Sequence, residues 1–377
     1  MTTIDVGQGP TAFVTVGTKL YVANYLDASV TIIDTLTNNV EETLNVGNGP
    51  IAFAVINSKI YIANDIDLYI SVINTLDNTV TSIITNATSA ALFLIDTILY
   101  AAGNDGGGVV KVINTVNDVV IGSIVVENNP KCVISIDAKL YVANYSSDSV
   151  SIIDLSNNNF VTTINVGFNP ISLVAIGLKI YVANYGDTTL SIIDTANNNS
   201  VTALTVGSSP AALVLLNSKL YVANVDSNTV TIINTTDNNS TVTVAVGNGP
   251  RAFNFIGSKL YVANNNGSTI SVINIADNNS TSTLSVGNGP VALVLVDSKL
   301  YIANYYDGTV MVLTVEIPIA CFDFTTLCYL RKSNLLPQNS IVIAGPRYNK
   351  QMMYIKYYNI EFCFTLDHPF IYCGKYV

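Results

Sequence analysis

One tetrapeptide constrains most of what this chain can fold into. YVAN or YIAN begins at Tyr21, Tyr61, Tyr141, Tyr181, Tyr221, Tyr261 and Tyr301, with a worn copy, YAAGN, at Tyr100. The step is 40 residues apart from a one-residue slip at Tyr100, and Pro10, Pro50, Pro130, Pro170, Pro210, Pro250 and Pro290 keep the same beat. So do Lys19, Lys59, Lys139, Lys179, Lys219, Lys259 and Lys299. A constant period of this length marks a repeat architecture, in which each unit buries its apolar surface against its neighbours.

Within one unit the strands can be read directly. After Pro50 the apolar runs 51–56, 59–64, 70–73 and 80–84 are each of strand length, rich in Val, Ile and Tyr. Asn, Asp, Ser and Gly bound them, and no stretch carries a helical apolar period. Each unit is therefore predicted to be a four-stranded antiparallel meander, lettered a to d. The a strand, apolar on both faces, is expected to be the most buried. Glycines 47, 167, 207, 247 and 287 open a V-G-x-x-P turn, where glycine is expected to supply freedom in φ and proline to start the next a strand.

Such units stack radially into a β-propeller with strand a at the axis. The ends of the repeat region fit a closed ring. Residues 2–6 resemble a d strand without a, b and c, while 291–296, 299–304 and 310–315 are a, b and c without d. Eight blades closed by pairing 2–6 with 309–315 follow, the alternative being seven blades and a spare partial one. The third unit is degenerate: Ala90 replaces the proline, Ile98 the lysine, and Asp105-Gly106-Gly107-Gly108 enlarges one loop. That loop lacks the lysine and Ser/Thr of a phosphate-binding loop, so drift accounts for it.

The run Y-V-A-N-Y, followed by V-S-I-I-D-T and V-G-x-x-P, resembles the YVTN family of β-propeller repeats over about residues 1–315. Alanine here stands in place of that family's threonine. The resemblance implies a propeller of the kind known from bacterial and archaeal envelope, periplasmic and surface-layer proteins, similar in fold to quinoprotein-like and streptogramin-lyase propellers. It implies no active site, since most members have no assigned activity.

Charge narrows the function. The chain carries 10 Lys+Arg against 22 Asp+Glu up to Val315 and 6 against 4 beyond it, −12 and +2. An acidic body with scattered lysines is a poor match for a phosphate backbone, so nucleic acid is excluded as a partner. No apolar run is long enough to span a bilayer as a helix, and the N-terminus, MTTIDVGQGP, shows no basic or apolar region of a secretory signal. The missing signal counts toward the cytoplasm, the resemblance toward the envelope. Residues 316–377 fall outside the repeat and read as a tail or small appended module. They hold Cys321, Cys328, Cys363 and Cys373 and the single histidine, His368, without zinc-site spacing.

Strand order places the d–a and b–c turns on one rim. That rim carries Tyr25 and Asp27, Asp65 and Asp67, Tyr145 and Asp148, Tyr185 and Asp187, and Tyr305 and Asp307. The lysines fall on the a–b turns of the other rim. Loops on a rigid scaffold are natural binding positions, and acids interleaved with tyrosines suit a protein, a basic peptide or a glycan. The same residues are also ordinary turn formers. Residues 1–315 contain no histidine and only three glutamates, Glu41, Glu42 and Glu127, so general acid–base chemistry is poorly supplied. A monomeric binding or structural scaffold without a cofactor is expected. The alternative is a lyase- or quinoprotein-like enzyme with its site in the axial channel. Asp27, Asp65, Asp67 and Asp105 form the nearest approach to a calcium site.

Overall fold

The computed structural model describes residues 2–157, 159–237 and 239–315, with the backbone of 321–323, 341–347, 350–357 and 360–365. The chain divides into two compact units, Met1–Thr314 and Val315–Val377. In the second, strands Cys321–Asp323, Ile360–Thr365, Lys350–Tyr357 and Ile341–Arg347 form one sheet in that order. The pairing state of its cysteines lies outside the described residues.

The first unit is an eight-bladed β-propeller. Blade 1 is Pro10–Val16, Lys19–Asn24, Ser29–Asp34 and Val40–Asn45, strands a to d. Blades 2 to 7 repeat it, with a strands starting at Pro50, Ala91, Pro130, Pro170, Pro210 and Pro250. Blade 8 takes a, b and c from Pro290–Val296, Lys299–Asn304 and Thr309–Thr314, and its d strand is Thr2–Asp5 from the other end of the chain. Thr2 lies opposite Val312 and Asp5 opposite Thr309. Each a strand adjoins those of the blades before and after it, 290–296 beside 10–16 included, so the ring is complete.

The core is a series of seams between blades. Across the first seam, Tyr21, Val30, Ile32 and Leu44 of blade 1 pack on Ile60, Ile62 and Ile73 of blade 2. At the closing seam, Ile4, Tyr301, Val310 and Val312 meet Leu20, Val22 and Ile33. Within K-L-Y-V-A-N, alternate side chains thus serve opposite seams: Leu20 and Val22 one, Tyr21 the other. Strands b and c are sandwiched on both sides and are the most buried elements, not strand a as the sequence suggests. The a strands are only half-buried for most of their length. Their inner edges border the axis, where no further strand covers them.

Polar residues in the repeat have structural roles that only the packing discloses. The asparagine ending YVAN is fully buried in seven blades. Asn24 Nδ2 donates to Ser29 Oγ (3.0 Å) and Thr31 Oγ1 (2.9 Å) of the adjoining c strand, and Asn184, Asn224 and Asn264 repeat the arrangement. Its amide lies against the glycine of V-G-x-x-P. A Cβ at Gly7 or Gly207 would stand 2.6 or 2.7 Å from Asn24 or Asn224, and closer still to the asparagine at Gly47, Gly167 and Gly247. That glycine is required by close approach, whereas the left-handed residue of the turn is the one before proline: Gly49 (φ 71°), Asn129 (57°), Asn169 (52°), Ser209 (56°).

Blade 3 obeys the same steric rule in reverse. Ala87 replaces the glycine and Gly103 replaces the asparagine, so the added methyl meets no amide. Lys111 takes the c-strand place of Thr31 and Ser71, directly opposite Ala101. It is buried, with Nζ donating to Asp105 Oδ2 (2.9 Å) and Ser123 Oγ (3.2 Å). The unit that looks degenerate in sequence is thus coherently repacked.

A second set of bonds ties blade to blade. Tyr301 Oη donates to Asn38 Oδ1 (2.8 Å), and Lys299 Nζ donates to Thr35 O (2.7 Å) and Asn38 Oδ1 (3.0 Å). Lys59 and Tyr61 hold Asp118 in the same way, at 2.5 and 2.6 Å, and Tyr181 reaches Asn239 (2.8 Å). In each case the acceptor is a left-handed residue in the next blade's c–d turn. Burial, with contributions from Asp297 and Asp34, pushes the Tyr301 phenol up to about 12. Burial raises Tyr21, Tyr141, Tyr181, Tyr221 and Tyr261 as well.

Three outcomes are expected. Deleting residues 2–5 removes several ladder bonds worth ~0.5–1.5 kcal/mol each and the burial of Ile4, about 1.5–3 kcal/mol. The truncated protein should melt earlier and associate through the bared edge of Thr309–Thr314; an unchanged midpoint in a clean monomer refutes this closure. Gly247→Ala should destabilise by about 1–3 kcal/mol through overpacking, and Asn264→Gly in the same chain should recover part of the loss, recreating the blade 3 pairing. Strictly additive effects would contradict that coupling. The raised tyrosine pKa values contribute stability that is present below pH 10 and lost as pH climbs toward 12. The thermal midpoint should therefore fall across that interval, with the tyrosinate absorbance of these buried rings appearing only on unfolding, and a flat midpoint would count against it.

Candidate functional site

The d–a and b–c turns share one rim and are hydrogen-bonded to each other. The N–H of the residue after YVAN donates to the carbonyl of the residue before proline: Tyr25 to Gly9 (2.8 Å), Asp65 to Gly49 (2.8 Å), Tyr145 to Asn129 (2.9 Å), Tyr185 to Asn169 (3.0 Å) and Tyr305 to Gly289 (2.8 Å). All five side chains are half-buried. Burial raises the Tyr25 phenol, with contributions from Asp65 and Tyr305, and burial followed by Tyr306 raises that of Tyr305. Backbone bonding and partial burial leave these rings few alternative positions.

The other carboxylates of the rim act as turn acceptors. Asp27, Asp67 and Asp307 receive the N–H groups of Gln8 (2.6 Å), Asn48 (2.7 Å) and Asn288 (2.6 Å). Asp148 reaches the next blade and accepts from Asn169 N–H (2.8 Å), while Asp187 accepts from Thr188 N–H (2.6 Å) in its own turn. The bond from Asn48 N–H holds Asp67 below the usual carboxylate range. Asp65 differs, since it lies 3.7 Å from Lys131 Nζ on the a strand of blade 4. Acceptance from N–H groups holds these carboxylates in place on their turns.

The ten candidate residues do not gather at one point. They lie around the rim in five blades. Among the described residues no three His, Cys, Asp or Glu side chains converge as a metal would require, so Asp27, Asp65, Asp67 and Asp105 form no cation cage. The eight a strands carry two charged residues, Lys131 in blade 4 and Arg251 in blade 7. Both follow the strand-opening proline, where the pairing to strand b shifts register by one residue.

What the sequence reading missed is apolar. Leu26, Ile66 and Tyr306 directly follow Tyr25, Asp65 and Tyr305 and are 61, 55 and 61% exposed. An added Cβ at Gly9 would lie 2.9 Å from Leu26 Cγ and 3.2 Å from Tyr305 Cε2. At Gly49 it would lie 3.0 Å from Ile66 Cγ1 and 3.2 Å from Tyr25 Cε2. Tyr305 and Tyr306 meet edge to face, ring centres 5.3 Å apart. The available signal was aperiodic: the matching places in blades 4 to 7 are Ser146, Gly186, Asp226 and Asn266.

No helix among the described residues is long and apolar enough to cross a membrane. No family model matches the chain, and no curated protein sequence matches it either, so the YVTN resemblance remains one of motif. Solved structures are similar in fold. Sqt1 of Saccharomyces cerevisiae is 12% identical with a TM-score of 0.71, over 84% of this chain and 98% of that one. The computationally designed Ika8 protein is 14% identical with a TM-score of 0.69, over 83% and 98%. BamB from Moraxella catarrhalis is 12% identical with a TM-score of 0.67, over 83% and 98%. At these identities the likeness is one of fold alone: the chain is an eight-bladed β-propeller closed by its N-terminal strand.

Proposed function

We propose that this propeller is a binding scaffold whose contact surface is the rim of d–a and b–c turns. The observation that carries the reading is the fixing of Tyr25, Tyr145, Tyr185 and Tyr305 by turn-to-turn backbone bonds, beside carboxylates also held by backbone N–H groups. Half-buried aromatic rings on rigid turns lose little freedom when a partner covers them, so more of their contact energy appears as affinity. Elsewhere the recurring Asn, Ser and Thr side chains bond within their blades, and Lys59, Tyr61, Tyr181, Lys299 and Tyr301 tie one blade to the next, so they contribute little to recognition. The acidic body favours partners with basic or neutral surfaces. The motif resemblance suggests the cell envelope or surface as the setting.

A peptide and glycan array at physiological salt tests the reading. Hits should weaken about tenfold on Tyr185→Ser, Asp187→Asn or the corresponding changes at Tyr25 and Asp27, a loss of ~1.4 kcal/mol. An array without hits, together with turnover in a metabolite screen, would replace the scaffold by a propeller enzyme acting in its axial channel.

A further inference from the structure

We propose that the strip Tyr306, Tyr305, Leu26, Tyr25 and Ile66, across blades 8, 1 and 2, docks a peptide segment that alternates apolar and cationic residues. The inference rests on the rim being the binding face and names its occupant. The strip is continuous. Tyr305 and Leu26 crowd one glycine, Gly9, and Tyr25 and Ile66 crowd another, Gly49, while Tyr306 stands edge-on to Tyr305. Its most exposed members are Tyr306, Leu26 and Ile66.

Turn formation does not call for these side chains. Ser146, Gly186, Asp226 and Asn266 occupy the same place as Leu26, Ile66 and Tyr306, and the blades around them keep the same strands and the same bond from the preceding N–H to the residue before proline. A contiguous apolar surface that the repeat does not need marks an interaction site.

Charge selects the partner. Asp27, Asp67 and Asp307 flank the strip, one to a blade, each pinned by a backbone N–H. Segments 6–9, 25–28, 46–49, 65–68 and 305–308, which build this part of the rim, contain no Lys or Arg. Lys131 stands against Asp65, whereas Asp27, Asp67 and Asp307 form no ion pair among the described residues. A basic side chain entering here therefore meets these carboxylates and has Tyr25, Tyr305 and Tyr306 beside it for cation–π contact. Leu26 and Ile66 give a sugar no hydrogen-bonding partner, and a peptide's own apolar side chains suit them better.

Short labelled peptides of alternating Arg and Leu, Arg and Ser, and Glu and Leu test this by fluorescence anisotropy with the full chain. The Arg/Leu peptide should bind best and weaken with salt, the Arg/Ser peptide should bind about tenfold less tightly, and the Glu/Leu peptide should not bind. Leu26→Ser combined with Tyr306→Ser should weaken Arg/Leu binding about tenfold, with an unchanged thermal midpoint showing the variant folded. Asp27→Asn with Asp307→Asn should flatten the salt dependence, because asparagine still accepts the turn N–H, as Asn228 does from Gly249 (2.9 Å). Leu76→Ser, on the opposite rim, should change nothing. Equal binding of Arg/Leu and Glu/Leu peptides, or no effect of the strip variants, overturns the proposal. Array hits that map to Tyr145 and Tyr185 while the Arg/Leu peptide fails would overturn this inference and leave the rim reading standing. If no ligand responds to any rim variant, both fall.

Discussion

Because every b and c strand in this propeller is apolar on both faces, a blade has no solvent side on which it could stand alone. Leu20 and Val22 serve the closing seam, and Tyr21, Val30 and Ile32 serve the next one. Stability is therefore held at the seams, and each seam needs the blade beyond it. Closure follows from the same constraint. An open array would leave one buried-type face of its first blade and one of its last in water. The strand Thr2–Asp5 removes this by completing blade 8 with residues nearly 310 positions away in the chain from their partners, as in Thr2 opposite Val312.

The polar residues are best understood as accessories to those seams. Asparagine closing strand b hydrogen-bonds the c strand inside the blade, and it fits only because its neighbour in the turn is glycine. In blades 2 and 8 the lysine and tyrosine of K-x-Y reach forward to the next blade's c–d turn, and Tyr181 of blade 5 does the same. A buried donor or acceptor is expensive unless paired, so these groups recur wherever the geometry recurs. Lys59 and Lys299, on the rim opposite the candidate site, thereby act as inter-blade ties, while Lys19 pairs with Glu41 of its own blade.

Function then belongs to what departs from the repeat. Two departures are present. In blade 3, Ala87, Gly103 and Lys111 exchange an amide for a methyl group and an ion pair between buried Lys111 and exposed Asp105, a repacking within the blade. In blades 8, 1 and 2, Tyr306, Leu26 and Ile66 place apolar surface at the b–c turn position that Ser146, Gly186, Asp226 and Asn266 fill in blades 4 to 7. The first is explained by packing and the second is not, and for that reason recognition is assigned to the second.

The sequence by itself determined the unit and its four strands, and it favoured eight blades closed by the N-terminal strand over seven, a choice that the strand pairing decides. These readings follow from periodicity and from unmatched strands at the two ends, which are one-dimensional properties. It also determined the rim, because alternating strand direction decides which turns share a side. It misjudged which strands would be deepest, since apolarity does not say whether a neighbour exists: strand a borders an axis, while b and c lie between blades. It placed the ten rim residues without showing that Asp27, Asp67 and Asp307 are spoken for by backbone N–H groups. It passed over Leu26, Ile66 and Tyr306, which are single apolar letters in loops. Only the tertiary structure brings Leu26 beside Tyr305 at Gly9 and Ile66 beside Tyr25 at Gly49, because proximity across a seam joins residues about 40 positions apart, or at the closing seam nearly the whole ring apart, and no local pattern in the chain records it.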